Sequence, residues 1–449
     1  MTKIPVIAVL DIGKTNKKLF LFDESYRVVH EKNARLPETA DEDGDPCECI
    51  HSLRDFVQSS LEEALAMPGV DVRAVNVSAY GASLVYIDAD GKPLTPLYNY
   101  LKSYPGHLRD GLYARYGGKS GFSRQTASPA LDSLNSGLQL FRLQAGRPEL
   151  FAKVKHALHL PQYISFLLTG EACADITSIG CHTALWDFDK NTYHAWVRDE
   201  GLESVMAPLR DAGTVVAGKV SGKEVPVGPG LHDSSAALIP YLMQFREPFA
   251  LISTGTWCIT LNPFNATPLT AEELEQDCLC YLSFDGRPVK ASRLFSGFVH
   301  EREVARIAEH FNRQSAHCQS VPFDAALMGK MFPAGDFATR DLSQFRSDAE
   351  AYHQLIFDLV SAQHRSTSLV LAGAPVGKIF VDGGFGKNDV FMQMLAMQFR
   401  GIEVFAAQVP QATALGAALA LHSTWQQGPL PERLIELAPY PDPCTEILG

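Results

Sequence analysis

Val6-Ile7-Ala8-Val9-Leu10-Asp11-Ile12-Gly13-Lys14-Thr15-Asn16-Lys17-Lys18-Leu19-Phe20-Leu21-Phe22-Asp23 is an apolar run, a tight polar turn and a second, largely apolar run. That order reads as strand, turn, strand. A related stretch lies in the second half of the chain, Phe249-Ala250-Leu251-Ile252-Ser253-Thr254-Gly255-Thr256-Trp257-Cys258-Ile259-Thr260-Leu261. Turns built from Gly, Thr and Ser can aim backbone N–H groups and hydroxyls into one concavity, and a concavity of donors binds anions. Two of them, far apart in sequence, point to two lobes that grip one polyphosphate between them.

Outward from the first hairpin, Arg27 to Glu31 reads as a third strand, and Glu38 to Asp45 as an acidic loop that ends at Pro46. Ile50, Leu53, Phe56, Val57, Leu61 and Leu65 recur at helical spacing, which predicts an amphipathic helix over Pro46 to Met67. Val72 to Ser78 then reads as a strand that delivers Tyr80, Gly81 and Ala82 at its end. Three meandering strands, a helix and a further strand predict a mixed sheet. In the middle of the chain Leu134, Leu138, Leu140 and Phe141 mark one helix, and Tyr163 to Leu167 another, closed by Gly170. A Gly/Pro-rich stretch, Gly218 to Gly230, precedes His232-Asp233-Ser234.

The lobe boundary is expected near Gln244 to Pro248, giving an N-terminal lobe over 1–244 and a C-terminal lobe over 245–449. The second half repeats the plan loosely. Its hairpin is followed by helical stretches over Val299 to Phe311 and Ala349 to Leu371, then by a strand, Lys378 to Val381. That strand runs into Asp382-Gly383-Gly384-Phe385-Gly386-Lys387-Asn388, a helix through Met394 and Phe399, and a last helix of small residues, Ala412 to Ala420. The duplication is one of architecture, not of residue identity.

The chain has 449 residues, enough for two or three domains with proper cores, and a formal charge of −12. That balance argues against a nonspecific nucleic-acid binder, which shows a basic face. It leaves room for an anionic ligand, because a local group such as Lys14, Lys17 and Lys18 can dominate one site. No apolar run approaches the length that spans a bilayer, so no membrane partner is expected. Met1 to Pro5 lacks a signal-peptide pattern, and the expected location is cytoplasmic. The nine cysteines are odd in number and scattered, so a disulfide framework is not expected. Cys47/Cys49 and Cys278/Cys280 are spaced too tightly for ordinary zinc sites and read as plain thiols.

Asp11 stands at a strand end two residues before Gly13. A carboxylate there suits Mg²⁺, directly or through water, but alone reads equally as a turn cap. Lys14 and Thr15 in the same turn tip the balance, since a cation and a hydroxyl complete a phosphate site. Gly383-Gly384 lets a flat group pass close to the backbone, as a nucleotide base or ribose would, or serves as a plain strand-to-helix turn. Asp233 is either a turn residue or an acid aimed into a cleft, able to accept a hydroxyl proton during phosphoryl transfer. No G-x-x-x-x-G-K-[ST] and no N-terminal G-x-G-x-x-G occurs, so the chain is neither an obvious P-loop enzyme nor a Rossmann dehydrogenase.

Taken in order over the whole chain, these pieces resemble the FGGY family of carbohydrate kinases. Asp11 to Asn16 is similar to the family's first phosphate motif, Ser253 to Trp257 to its second, Asp382 to Asn388 to its adenosine motif, and Ala412 to Ala420 to its closing Ala/Gly-rich helix. His232-Asp233 and Trp257 look most like rhamnulokinase-type members. The resemblance implies an α/β fold of two actin-like (RNase H-like) lobes with mixed sheets, and ATP with Mg²⁺ in the cleft between them. It implies Asp233 as general base and Asp11 as the residue that organises Mg²⁺. Gly13, Lys14, Thr15, Gly255 and Thr256 would then face the phosphates, and Gly383, Gly384 and Asn388 the adenosine. Tyr80, Gly81, Ala82, His232 and Asp233 would face the sugar.

The sequence departs from that pattern at three places. Lys14 stands where many members carry Thr or Ala, which puts an extra cation beside the phosphates. The sugar loop has Tyr80 and Ser83 in place of Trp and Asp. The stretch Tyr98 to Ser103 lacks the expected Arg-Asp pair. The expected activity is ATP-dependent phosphorylation of a ketose, either a 6-deoxyketohexose such as L-rhamnulose or L-fuculose, or a ketopentose. The alternative is a nonenzymatic actin-like protein that binds nucleotide and sugar. A polyphosphatase or ATPase on the same lobes is a third reading. The expected partners are the sugar and ATP, with a homodimer compatible with the sequence.

Overall fold

The computed structural model describes residues 3–409 and 411–441. Its N-terminal half begins with β1 (Ile4–Ile12), β2 (Lys17–Asp23), β3 (Val28–Ala34), the short β4 (Glu38–Ala40) and β5 (Pro46–Glu48), α1 (Ile50–Ala66) and β6 (Val70–Ala79). After α2 (Ser136–Gly146) and α3 (Leu160–Thr169) come β7 (Val216–Val220), β8 (Lys223–Val227), β9 (Leu231–His232) and α4 (Asp233–Gln244). The other half holds β10 (Phe249–Thr254), β11 (Cys258–Asn262), β12 (Cys278–Leu282), β13 (Pro288–Leu294), α5 (Ser296–His310) and α6 (Asp348–Leu371). It continues with β14 (Lys378–Gly383), α7 (Asp389–Gln398), β15 (Glu403–Gln408), α8 (Ala412–Ala420) and β16 (Glu436–Tyr440).

Two seven-stranded mixed sheets result. The first runs β7-β8-β6-β1-β2-β3 with β9 also paired to β6; the second runs β12-β13-β11-β10-β14-β15-β16. In the first, β1 pairs antiparallel with β2 and parallel with β6. In the second, β10 pairs antiparallel with β11 and parallel with β14. Each central strand is covered on both faces, which is why it reads as a near-continuous apolar run. Val6, Ala8 and Leu10 pack beneath α1 and α3, while Ile7 and Val9 pack beneath α4 and α8. β3, at an edge, alternates exposed and half-buried residues and carries His30, Glu31 and Lys32, a pattern that discourages edge pairing.

The acidic stretch differs from its reading. Glu38–Ala40 pairs antiparallel with Pro46–Glu48, and the helix starts at Ile50 rather than Pro46. The cause is local. Asp41 accepts from the backbone N–H groups of Asp43 and Asp45 and so closes a tight turn. The ammonium of Lys102 lies 2.5, 2.8 and 2.9 Å from the carboxylates of Asp41, Asp43 and Asp45. A long-range cation therefore turns an acidic loop into a hairpin, which local periodicity cannot report.

α4 lies between the two sheets. Ala236 and Ile239 face the first core, Leu238 and Tyr241 the second. It contains Pro240, which has no N–H to offer the carbonyl four residues back, that of Ala236. Gly416 of α8 presses on that same oxygen so closely that a Cβ there would overlap it. The amide of buried Asn76 donates to the Ala417 carbonyl at 2.7 Å. The small residues of α8 thus allow it to seat against α4 and the first sheet.

The eight cysteines among the described residues are free thiols, and Cys444 lies outside them. No helix among the described residues is long and apolar enough to cross a membrane.

Candidate active site

Parallel registers bring the functional segments to one edge. Asp11 aligns with Ser78 and Ile12 with Ala79; Leu231 aligns with the same Ser78 and His232 with the same Ala79. The turn at Gly13, the loop Tyr80-Gly81-Ala82 and Asp233 therefore leave the sheet side by side at strand carboxyl ends, where ligands bind in α/β folds. In the second sheet Ser253 aligns with Asp382 and Thr254 with Gly383, which places the second turn beside the Gly383-Gly384 segment.

Asp233 is the first residue of α4. Its Oδ1 accepts from the Ser234 N–H at 2.6 Å, and 31 % of its side chain stays open to the cleft. Burial among the lobes raises its carboxyl to about 6, against the opposing pull of Ser234. His232 is fully enclosed, and burial lowers it to about 4, so its ring is neutral at physiological pH. Its Nε2 is 3.1 Å from the Cys181 thiol and 3.4 Å from Asp233 Oδ1, and its ring stacks on Tyr281. Gly81 permits this placement, since a Cβ there would come within 2.6 Å of His232 Nε2.

Asp11 is also raised to about 6, chiefly by burial. The Thr413 hydroxyl opposes the rise, the nearby Asp233 charge adds to it, and Lys18 lowers it again. A desolvated carboxylate that a neighbouring negative charge raises further is a donor suited to a hard divalent cation, which would relieve it. Asp11 thus fits Mg²⁺.

The two turns differ in their surroundings. Gly13 donates its N–H to the Asn16 carbonyl at 2.9 Å, and Gly255 donates to that of Trp257 at 2.9 Å. Thr15, Gly255 and Thr256 are exposed, with their groups open to a ligand. The three lysines of the first turn do not act as one patch. Lys14 pairs with Glu48 at 3.2 Å, Lys17 with the other oxygen of Glu48 at 2.8 Å, and Lys18 with Glu31 at 3.1 Å. The Lys14 ammonium also lies 5.6 Å from the Tyr80 ring centre and 5.7 Å from that of Tyr100.

A cavity of about 410 Å³ opens beside the second turn, with Gly255, Thr256, Gly384 and Asn388 in its lining. Lys387 of the Asp382 to Asn388 stretch joins them, with Gly297, His300 and Glu301, to which no sequence motif pointed. Gly297 has a packing signature, since a Cβ there would overlap the Gly255 carbonyl oxygen. Gly383 is not among the lining residues. It holds φ at +80° against the Thr254 backbone, so it serves the close approach of two strands. The Asn388 side chain caps α7 through Phe391 N–H and donates to the Tyr352 hydroxyl. Asp382, also raised to about 6 by burial, receives the Tyr241 hydroxyl at 3.4 Å. Trp257, Phe295 and Phe298 are exposed rings; Phe295 lies tilted 4.6 Å from Trp257 and stacks on Phe298 at 4.7 Å.

Two family models cover this geometry. Residues 6–239 match the N-terminal domain of the FGGY family of carbohydrate kinases, and residues 246–429 match the carbohydrate kinase FGGY C-terminal domain. The chain belongs to the FGGY family of carbohydrate kinases. The two sheets and their helices are the lobes of its actin-like, RNase H-like fold, and the protein is an ATP-dependent carbohydrate kinase by family membership. This kinase is 24 % identical over 439 residues to a rhamnulokinase of Mannheimia succiniciproducens, covering 91 % of this chain and 88 % of that one. A rhamnulokinase of Pectobacterium atrosepticum is 25 % identical over 396 residues, covering 81 % and 76 %. Among solved structures, a carbohydrate kinase from Novosphingobium aromaticivorans superposes with a TM-score of 0.79 at 25 % identity, covering 98 % of this chain and 94 % of that one. A xylulose kinase from Rhodospirillum rubrum gives a TM-score of 0.82 at 16 % identity over 98 % and 96 %.

Proposed function

We propose that this kinase transfers the γ-phosphoryl group of ATP to a hydroxyl of a ketose, either a 6-deoxyketohexose such as L-rhamnulose or L-fuculose, or a ketopentose. The observation that carries the reading is Asp233. It is desolvated, partly open to the cleft, ionised above about pH 6, and set beside both the first turn and the Tyr80-Gly81-Ala82 loop. In this reading the acceptor hydroxyl gives its proton to Asp233 as its oxygen attacks phosphorus. His232, neutral and packed against Tyr281, holds the wall beside Asp233 and adds no competing charge. Asp11 would hold Mg²⁺, which neutralises phosphate charge when bound. Gly13, Lys14, Thr15, Gly255 and Thr256 face the phosphates; Gly384 and Asn388 line the adenosine side, with Gly383 supporting the turn. Tyr80, Gly81 and Ala82 form the sugar loop.

The rhamnulokinase relatives support a 6-deoxyketose, and the division into parts over 1–244 and 245–449 follows the break between the two family models. The requirement for ATP supports a cytoplasmic location. The test is ADP release from ATP and Mg²⁺ across ketohexoses, 6-deoxyketohexoses and ketopentoses, for the natural chain and for Asp233→Asn. The expected result is one strongly preferred ketose, with turnover lost in Asp233→Asn and ADP binding kept. Unchanged turnover in the variant removes Asp233 as base.

A further inference from the structure

One carboxylate joins the phosphate turn to the sugar loop. Glu48, at the end of β5, is 7 % exposed at its side chain. Its Oε1 accepts from Lys14 at 3.2 Å and from the Tyr80 hydroxyl at 2.8 Å; its Oε2 lies 2.8 Å from the Lys17 ammonium. Lys17 is buried and fully engaged, since it also donates to the carbonyls of Gly13 and Lys14 at 3.0 and 2.9 Å. It fixes the turn itself. Lys14 differs. Among the described residues Glu48 is its one side-chain hydrogen-bond acceptor, its side chain is 27 % exposed, and the Tyr80 and Tyr100 rings flank it. Tyr100 in turn lies close enough to Asp233 for that charge to raise its phenol. Two ammonium groups share one carboxylate, and the remaining positive charge sits on the lysine that faces the space between turn and sugar loop.

We propose that Glu48 is a positioning residue for phosphoryl transfer, acting by holding the Lys14 ammonium beside the γ-phosphoryl as it passes to the sugar. The proposal rests on the kinase reading above. In the transfer, the acceptor oxygen forms the new P–O bond as its proton passes to Asp233. The bond from phosphorus to the β,γ-bridging oxygen breaks, with its electron pair leaving on ADP. Lys14 neither gives nor takes a proton; its fixed charge offsets the charge that moves. An unheld lysine on a turn samples many rotamers. Glu48 and the two rings confine it before substrate arrives. The Tyr80 hydroxyl on the same carboxylate ties that position to the loop that receives the sugar.

The test is a double-mutant cycle of Lys14→Met and Glu48→Asp. Glu48→Asp keeps the charge that the buried lysines need, so folding is preserved, but draws the carboxylate back by one methylene. On the preferred ketose, Lys14→Met is expected to lower kcat about 100-fold. Glu48→Asp is expected to lower kcat about 10-fold alone and by less than about 2-fold when Lys14 is already Met. An equal loss in both backgrounds overturns the proposal, because Glu48 then acts other than through Lys14. A second readout needs no sugar. The ratio of affinities for a nonhydrolysable ATP analogue and for ADP should fall severalfold in both variants. Equal weakening of the two nucleotides, or of neither, overturns the role of Lys14 at the γ-phosphoryl. Silence of the natural chain on every ketose speaks against the kinase reading instead, and leaves the affinity ratio to decide this one.

Discussion

At the scale of single residues, the site is a set of acids held away from water. Asp11, Asp233 and Asp382 all rise to about 6 because burial disfavours their charged forms. The sign for stability follows. Between the ordinary aspartate value of 3.8 and about 6 the folded chain binds more protons than the unfolded one, so stability falls as pH rises through that window and levels off above it. A cation at Asp11 reverses part of this, so the Mg²⁺-dependent rise in Tm should be larger at pH 7.5 than at pH 5. Thermal melts at the two values with and without MgCl₂ measure it, and an equal rise at both removes the cation from this carboxylate. The same ionisation governs the proposed chemistry. kcat/KM should fall about tenfold per pH unit below about 6 and stay flat just above it. Asp233→Asn should cost roughly 10²–10⁴ in kcat. Gly81→Ala should reduce turnover more than it reduces ADP affinity, because its new methyl meets the His232 ring rather than the nucleotide cavity.

At the scale of elements, the contact between α8 and α4 leaves no room for a side chain at Gly416. Gly416→Ala puts a methyl group onto the Ala236 carbonyl, where backbone faces backbone and no side chain can yield. The expected loss is about 1–3 kcal/mol or more by urea denaturation. Gly146→Ala is the control: nothing lies within 4 Å of the added methyl group, and its φ is not in the left-handed region. That variant should be neutral, or more stable by about 0.4–1 kcal/mol. A Gly416→Ala chain as stable as the control shows that α8 can slide on α4. Elements were also where the sequence spoke most clearly. The hairpins, α3 closed by Gly170 and the small-residue run of α8 each carry a local signal, whether a turn, a left-handed glycine or a missing Cβ. Glu38 to Glu48 does not, because Lys102 makes that hairpin from more than fifty residues away.

At the scale of the whole molecule, the ordering of motifs was legible while the partners of individual charges were not. Asp11, Gly13, Asp233, Gly255 and Gly384 sit at strand ends and turns that a reader can place from apolar runs. Glu48 was hidden inside a helix expected from Pro46, and its two lysines appeared to be a free basic patch. Their pairing is a tertiary fact. His300, Glu301 and Lys387 reach the second cavity from α5 and from the turn after β14, a convergence visible only once the chain is folded.

The seat of α8 also has a consequence for the way the chain is made. The face of β1 formed by Ile7 and Val9 is closed by α4 together with Ala414, Leu415 and Ala418, residues that leave the ribosome long after β1 does. The first half of the chain therefore waits, with an apolar sheet face and the Ala236 carbonyl uncovered, until α8 has been made. A fragment ending at residue 244 should accumulate as aggregate, and one supplied in trans with residues 245–449 should be recovered as a soluble pair. For the growing polypeptide, α8 is a late-arriving lid on a far older strand, and protection of that strand by chaperones is a matter of elapsed synthesis time.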